Sequence, residues 1–179
     1  MPIGWAITVV VLCVAVAALA IVVLGLLRQV APVLERAVAV AAGPDVRPLG
    51  PAVGSPLPHF VAHGADGEVT AEELRGRPAV LLFLTAGCSP CKVLAEEMAH
   101  ADLGDLAARL VVITGPDGTR ELGIRPGLRI LTEQDGEVSG PLLVMSTPFA
   151  IAVGPDGIVK AVRIPNTIEQ LDNLAAILS

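Results

Sequence analysis

The stretch Ala79-Val80-Leu81-Leu82-Phe83-Leu84, followed two residues later by Gly87-Cys88-Ser89-Pro90-Cys91-Lys92, decides the fold of this chain. Six consecutive apolar residues predict a central strand that is buried on both faces. The cysteine-containing segment then opens a predicted helix, because Cys91, Leu94, Ala95 and Met98 fall on one helical stripe. Another apolar run within 109–114 predicts the next strand and completes a strand–helix–strand unit.

Shorter patterns on both sides of this unit predict the rest of the domain. Gly115–Gly127 is assigned to no element, since its glycines and prolines interrupt every periodicity. Short strands are predicted at His59–His63, Glu68–Thr70 and Leu128–Leu131, and a hairpin at Phe149–Val153 with Ile158–Ile164. One helical turn is predicted at Ala71–Arg75. A closing helix is predicted from Thr167 onward, where Thr167-x-x-Gln170 matches a capping box. A mixed sheet with helices on both faces is an α/β layered domain.

The amino-terminal segment has the composition of a membrane anchor. Trp5–Leu27 is 23 residues long and carries no charge, and a helix of that length, roughly 35 Å, exceeds the hydrocarbon core of about 30 Å. A cleaved signal peptide would need a basic leading region and a shorter apolar run, and a buried core helix seldom needs so long an uncharged stretch. We therefore expect a single transmembrane helix within residues 1–28, with Cys13 as a lipid-facing or packing residue.

A spacer separates this anchor from the domain. Residues 29–54 combine an amphipathic stretch with a Pro- and Gly-rich linker, and five prolines between Pro44 and Pro58 favour an extended, semi-rigid chain. The soluble domain is expected at residues 55–179. Arg28 and Arg36 follow the anchor, so the positive-inside rule taken alone would place this domain in the cytoplasm.

The charge pattern argues against nucleic acid as a partner. The formal net charge is −6 and no long basic block is present, so phosphate binding has no electrostatic support.

The pair Cys88-x-x-Cys91 is the strongest chemical signal. At a helix N-terminus, unpaired backbone N–H groups and the helix dipole stabilise a thiolate at Cys88 and make it nucleophilic. Cys91 lies one turn on, close enough to form a disulfide, so Cys88 can attack a substrate disulfide and Cys91 can resolve the mixed intermediate. A structural disulfide would not need this placement, and a zinc site would need two more ligands at a suitable spacing, which His59, His63 and His100 do not supply.

Pro148 is a second candidate, because it begins a predicted strand directly after Thr147. X-Pro bonds are the ones found in the cis form at appreciable frequency. A cis bond here would turn Thr147 towards the cysteines, although a trans proline at a strand start fits the sequence equally well.

These motifs resemble the extracytoplasmic thioredoxin-like family of TlpA and ResA type. Within it, the chain is most similar to the MauD subgroup, the methylamine dehydrogenase accessory proteins. The resemblance implies a thioredoxin fold, an outward-facing domain on the cell membrane, a cis Pro148 beside the cysteines, no cofactor beyond the disulfide, and a role in forming or rearranging disulfides of exported proteins. It also implies a membrane or extracytoplasmic thiol partner. The residues that carry it are Gly54-Ser55-Pro56-Leu57-Pro58-His59-Phe60, Cys88-Ser89-Pro90-Cys91, Thr147-Pro148, Pro155-Asp156-Gly157, and, for the subgroup, Leu26-Leu27-Arg28-Gln29, Leu81-Leu82-Phe83-Leu84 and Asn166-Thr167.

The chain departs from that family at and near the cysteines. The Ser89-Pro90 pair between them differs from the pair usual in MauD-like chains, so the resemblance does not extend to the redox potential. Gly87 stands where many thioredoxins have tryptophan, and Leu82 stands where they often bury a carboxylate that helps to deprotonate the second cysteine. Proton transfer from Cys91 is therefore expected to use water or another group.

Two other functions stay open from the sequence. Thr85-x-x-Cys88 matches part of a thiol-peroxidase motif, but Leu81 stands where that motif has proline. A copper chaperone or docking module on a thioredoxin scaffold is the non-enzymatic alternative, and such chaperones use C-x-x-x-C with a downstream histidine, whereas no histidine follows His100.

Overall fold

The computed structural model describes residues 50–178 apart from Asp66, together with Val9, Leu12, Cys13, Ala15 and Val16 near the amino terminus. The chain divides into two units, Met1–Arg47 and Pro48–Ser179, and all the elements named below belong to the second. The predicted anchor lies almost wholly outside the described residues. Within the described part of the chain, no helix has the length and apolar character needed to cross a bilayer.

The described residues of the second unit form seven strands and four helices. The helical turn predicted at Ala71–Arg75 is a single 3-10 turn, Ala71–Leu74. The strands are β1 (Val61–Gly64), β2 (Gly67–Thr70), β3 (Ala79–Phe83), β4 (Leu110–Thr114), β5 (Arg129–Thr132), β6 (Phe149–Val153) and β7 (Val159–Arg163). The helices are α1 (Ser89–His100), α2 (Gly104–Arg109), α3 (Gly118–Glu121) and α4 (Ile168–Ala176).

The strands form one mixed sheet in the order β2-β1-β5-β4-β3-β6-β7. β3 is parallel to β4 and antiparallel to β6, and β4 is parallel to β5. The carboxyl ends of β3, β4 and β5 therefore lie at one edge of the sheet. Phe83 pairs with Phe149, so the turn after β3 and the residues just before β6 meet at that same edge.

Apolar side chains cover both faces of the sheet. Val80, Leu82 and Leu84 point to the face that packs against α1 and α4, while Leu81 and Phe83 point to the face covered by the segments around Leu57 and Val138. All five residues of β3 are buried, which confirms the continuous apolar run as a two-sided strand. The predicted stripe of α1 is also confirmed, since its buried residues are Cys91, Leu94, Ala95 and Met98.

The prediction for the last helix needs a correction. The helix begins at Ile168 as expected, but the capping box is wrong, because Gln170 Oε1 accepts from the N–H of Asn166 at 2.7 Å and not from that of Thr167. The N–H of Ile168 donates instead to Glu97 of α1 at 3.3 Å. Among the described residues, the Thr167 hydroxyl makes no capping hydrogen bond.

The end of the predicted linker contacts the domain. The N–H of Gly50 donates to the carbonyl of Leu143 at 3.0 Å, and that of Gly54 to the carbonyl of Val159 at 2.8 Å. Gly50 has a φ of 86°, and a Cβ at this position would lie 2.6 Å from the ring of Phe149, so a side chain there would be both strained and crowded. The domain limits 1–28, 29–54 and 55–179 stay predictions.

Candidate active site

Cys88 and Cys91 form a disulfide whose Cα atoms are 5.2 Å apart. Cys88 is the N-cap residue of α1, with extended backbone angles (φ −94°, ψ 114°). The N–H of Cys91 donates to Cys88 Sγ at 3.2 Å, so the sulfur takes the place that a serine or aspartate oxygen usually has at a helix start. Pro90 fits in this first turn because its missing N–H has no helical acceptor there.

The two cysteines differ in their access to solvent. Cys91 is wholly buried and belongs to the same apolar cluster as Leu82 and Leu94, whereas Cys88 is half-buried at the border of that cluster. A macromolecular thiol or disulfide can therefore reach Cys88 but not Cys91. This asymmetry is the arrangement that an attacking and a resolving cysteine require.

Thr147 and Pro148 lie against the disulfide. The Thr147–Pro148 peptide bond is cis, and the Thr147 carbonyl oxygen lies 3.3 Å from Cys88 Sγ. Pro148 is buried directly before β6, and the pairing of β6 with β3 brings this loop to the turn that precedes Cys88. The structure thus brings together all four predicted site residues. Cys88 and Thr147, which are in contact, are 59 positions apart in the sequence.

Thr85 is a residue at this site that sequence reasoning assigned no role in exchange. The Thr147 hydroxyl donates to the Thr85 hydroxyl at 3.2 Å, and the N–H of Cys88 donates to the Thr85 carbonyl at 3.0 Å. Thr85 therefore joins the Thr147 loop to the turn before the helix. Its position three residues before Cys88 was the available signal, but the sequence offered a peroxidase motif as its only explanation.

Leu82 fills the interior beside the second cysteine with hydrocarbon. It is fully buried in the cluster that contains Cys91. Thr114 is the single buried polar side chain among the described residues, so a buried carboxylate is absent from the described domain. A proton that leaves Cys91 must accordingly pass to water or to a group that enters with the substrate.

A cavity of about 590 Å³ opens at the carboxyl edge of the sheet, next to the Thr147 loop. Its wall includes Thr85, Thr147, Gly115, Asp135 and the exposed side chain of Met145. Glu133 also lines it and accepts from the N–H groups of Val138 and Ser139 at 3.1 and 2.8 Å. The cavity has both polar and apolar walls and was not predicted, because its residues come from four separate segments.

Within residues 50–178 and the few described amino-terminal positions, no three His, Cys, Asp or Glu side chains are grouped to hold a metal ion. Cys13, the third cysteine, is exposed and forms no disulfide with the other described residues.

Neither a protein-family model nor a curated protein matches the chain, but solved structures do. It is similar to a protein assigned as thiol:disulfide interchange protein DsbE from Chlorobium tepidum, at 20% identity and a TM-score of 0.60 over 72% of this chain and 99% of that one. It is also similar to DsbF of Mycobacterium tuberculosis (MTB), solved in mixed oxidized and reduced forms, at 25% identity and a TM-score of 0.56 over 67% and 95%. A secreted M. tuberculosis disulfide oxidoreductase homologous to E. coli DsbE matches at 21% identity and a TM-score of 0.52 over 66% and 96%.

The chain is a thiol–disulfide oxidoreductase, as defined by its Cys88–Cys91 pair at a helix N-terminus of a thioredoxin-like fold, together with these neighbours. The neighbours support the resemblance to thioredoxin-like proteins of TlpA and ResA type that the sequence motifs predicted. The MauD subgroup stays a prediction.

Proposed function

We propose that this chain is a membrane-anchored thiol–disulfide oxidoreductase that acts on disulfides of exported proteins outside the cytoplasm. The observation that carries the chemistry is the half-buried Cys88 sulfur at the start of α1, joined to a fully buried Cys91. Client proteins with cysteines are the substrates, and the redox-active disulfide is the only redox group needed.

The exchange proceeds through a mixed disulfide. A Cys88 thiolate attacks one sulfur of the client disulfide, which forms a Cys88–client bond and releases the other client sulfur as a thiolate. The Cys91 thiol gives its proton to water or to the client thiolate just released and attacks the Cys88 sulfur, which forms the Cys88–Cys91 disulfide and releases the second client sulfur as a thiolate. Two electrons thus pass from the enzyme to the client. The reverse sequence oxidises a client dithiol.

Thr147 and Pro148 are assigned to client binding. The Thr147 carbonyl lies 3.3 Å from Cys88 Sγ, at the point where a client main chain must pass to bring its sulfur into line. A backbone carbonyl at this point can accept a hydrogen bond from a client N–H, and buried Pro148 fixes its direction. Thr85 supports the loop through its hydroxyl contact with Thr147.

The proposed location rests on the sequence and on a neighbour. Trp5–Leu27 carries no charge, which suits a single-pass anchor in the cell membrane, and the similar M. tuberculosis protein is a secreted one. Arg28 and Arg36 favour the opposite orientation, but the resemblance to extracytoplasmic proteins outweighs two charges. Alkaline-phosphatase and green-fluorescent-protein fusions after Ser179 decide this, since phosphatase activity without fluorescence is expected from an outward domain and the converse result would overturn it.

Maturation of methylamine dehydrogenase is the specific role that the MauD-like residues suggest. An extracytoplasmic enzyme of this kind needs a membrane or extracytoplasmic thiol partner to recycle its cysteine pair. Deletion of the chain should then lower the amount of correctly disulfide-bonded methylamine dehydrogenase in a host that makes it, and normal disulfide content in the deletion strain would exclude this client.

The reduction potential of the full-length protein, purified in detergent, tests the chemistry. Equilibration in dithiothreitol or glutathione buffers should give a reversible two-electron couple that Cys88→Ser abolishes and Cys13→Ser leaves unchanged. A value near about −270 mV would identify a reductant and one near about −120 mV an oxidant. Absence of a reversible couple would overturn the proposal; hydrogen-peroxide turnover or copper binding by the reduced protein would then identify one of the two alternative functions.

A further inference from the structure

Glycines in the described part of the chain fall into two groups. Thirteen of the fifteen either have a φ in the left-handed region or lie so close to a neighbour that a Cβ would be crowded. Gly87 and Gly115 are the two exceptions: neither has such a φ, and a Cβ on either would meet no heavy atom of the described residues within 4 Å. The fold therefore gives no reason for glycine at these two positions, although glycine loses more conformational entropy on folding than any other residue.

Gly87 belongs to the turn that presents Cys88. The N–H of Cys88 donates to the carbonyl of Thr85 at 3.0 Å, which closes a four-residue turn with Gly87 at its third position. Turns whose third residue has a negative φ accept most residue types. Gly87 is exposed, so a side chain there would project from the surface directly beside the attacking cysteine.

Gly115 follows β4 and lines the cavity of about 590 Å³ to which Thr85 and Thr147 also belong. Its carbonyl accepts from the N–H of Gly118 at 2.9 Å, a backbone bond that any residue can make. A side chain at this position would enter the open volume of the cavity. Both unexplained glycines thus lie at the carboxyl edge of the parallel strands, one beside Cys88 and one in the cavity wall.

We propose that Gly87 and Gly115 are specificity-determining residues that leave room for the main chain of a polypeptide client. This inference rests on the proposed function. Close approach of another backbone is the remaining reason for glycine once local conformation and packing are excluded. A client that extends from Cys88 along the cavity would contact both positions. A small disulfide needs to reach only the Cys88 sulfur and would contact neither.

Single-turnover rates of the reduced full-length protein in detergent test this assignment. The second-order rate constant for oxidation is measured with insulin as the polypeptide disulfide and with bis(2-hydroxyethyl) disulfide as the small one. Both directions of exchange pass through the same mixed disulfide, so the ratio of the two rate constants does not depend on which direction the cell uses. Gly87→Val and Gly115→Val are compared with Ala99→Val, an exposed position near the far end of α1.

The expected result is a fall of about tenfold or more in the insulin rate constant for each glycine variant, with less than a twofold change for the small disulfide. Gly87→Ala and Gly115→Ala should give smaller falls in the same direction, and melting temperatures should not drop. The assignment would be overturned if the ratio of the insulin rate constant to the small-disulfide rate constant were unchanged in both glycine variants, which includes equal falls in both rate constants. If the ratio changed in only one variant, the other glycine would not determine specificity. A wild-type protein that reacts with neither disulfide would refute the proposed function itself.

Discussion

Two neighbouring parallel strands end in turns of very different character. After β3, the turn leads to Cys88, whose sulfur accepts the Cys91 N–H and starts a 12-residue helix with four buried residues. After β4, the turn leads to the 4-residue helix α3, in which only Gly118 is buried. Asp117, at the N-cap of α3, accepts instead from the side chain of Arg120 at 2.9 Å.

This difference shows that a strand–turn–helix unit does not by itself make a reactive site. The first turn is held by a cap, by the Thr85–Cys88 backbone bond and by a long apolar stripe. The second carries a defect, because the buried Thr114 hydroxyl has no hydrogen-bond partner in the described part of the chain. The cysteine pair is found at the well-supported turn, where its geometry can be maintained.

The largest expected effect is on the helix that supports the cysteines. Leu94→Ala should lower the free energy of unfolding by about 2–5 kcal/mol, because it removes a fully buried side chain from the α1 stripe and leaves a cavity. Leu122→Ala, just after α3 and 6% exposed, should cost less. Urea unfolding followed by circular dichroism measures both, and an equal or larger loss for Leu122→Ala would break the contrast.

A moderate effect is expected at the second turn. In Gly118→Ala the new Cβ would overlap the Thr114 hydroxyl and lie 3.0 Å from Thr114 Cβ, so overpacking should lower the free energy of unfolding by about 1–3 kcal/mol. Gly115→Ala, three residues earlier, is the matched control and should lose no stability. If the two variants unfold at the same urea concentration, the proposed crowding at Thr114 is absent.

A smaller effect of opposite sign is expected at Thr114 itself. Thr114→Val replaces an unpaired buried hydroxyl by a methyl group and should raise the free energy of unfolding by about 1 kcal/mol. Val112→Thr, which adds a hydroxyl to the same fully buried face of β4, should lower it. A loss of stability in Thr114→Val would mean that the hydroxyl is hydrogen-bonded in solution and that the turn after β4 carries no unpaired polar group there.

The smallest effect on stability is expected at the turn between β6 and β7, which serves as a reference for the turns after β3 and β4. A hydrogen bond from Lys160, followed by one from the N–H of Ile158, holds the pKa of Asp156 below its ordinary value of 3.8. A carboxylate whose pKa is lower in the folded state stabilises the fold above its unfolded pKa, and this contribution is lost as the pH falls through the folded value. Asp156→Asn should therefore flatten the dependence of melting temperature on pH below about 4, measured against wild type, and an unchanged slope would contradict it.

The sequence predicted the first turn well because its signals are local. The apolar run of β3, the Cys88-x-x-Cys91 spacing and the stripe of α1 all lie within about twenty residues, and each follows a simple periodicity. Gly115–Gly127 has no such pattern, so α3 was not predicted, and neither was the six-residue α2.

Contacts between distant segments explain the remaining differences. The Thr85–Thr147 hydroxyl contact joins residues 62 positions apart, and the Ile168–Glu97 bond joins residues 71 positions apart. The second of these replaces the predicted capping box, since Glu97 reaches the first free N–H of α4 from a neighbouring helix. Nothing in the sequence around Glu97 indicates this contact with a helix 71 positions away.

The short distance between Cys88 Sγ and the Thr147 carbonyl also makes the loop sensitive to the protonation state of Cys88. In the disulfide and in the thiolate, Cys88 has no hydrogen to donate, so this carbonyl can accept one from an incoming chain. In the protonated thiol, the S–H of Cys88 can occupy it. We therefore expect the main-chain acceptor to be available in both reactive forms of Cys88 and withdrawn only in the protonated thiol, and a shift of the Thr147 carbonyl ¹³C resonance on protonation of the reduced enzyme would record the change.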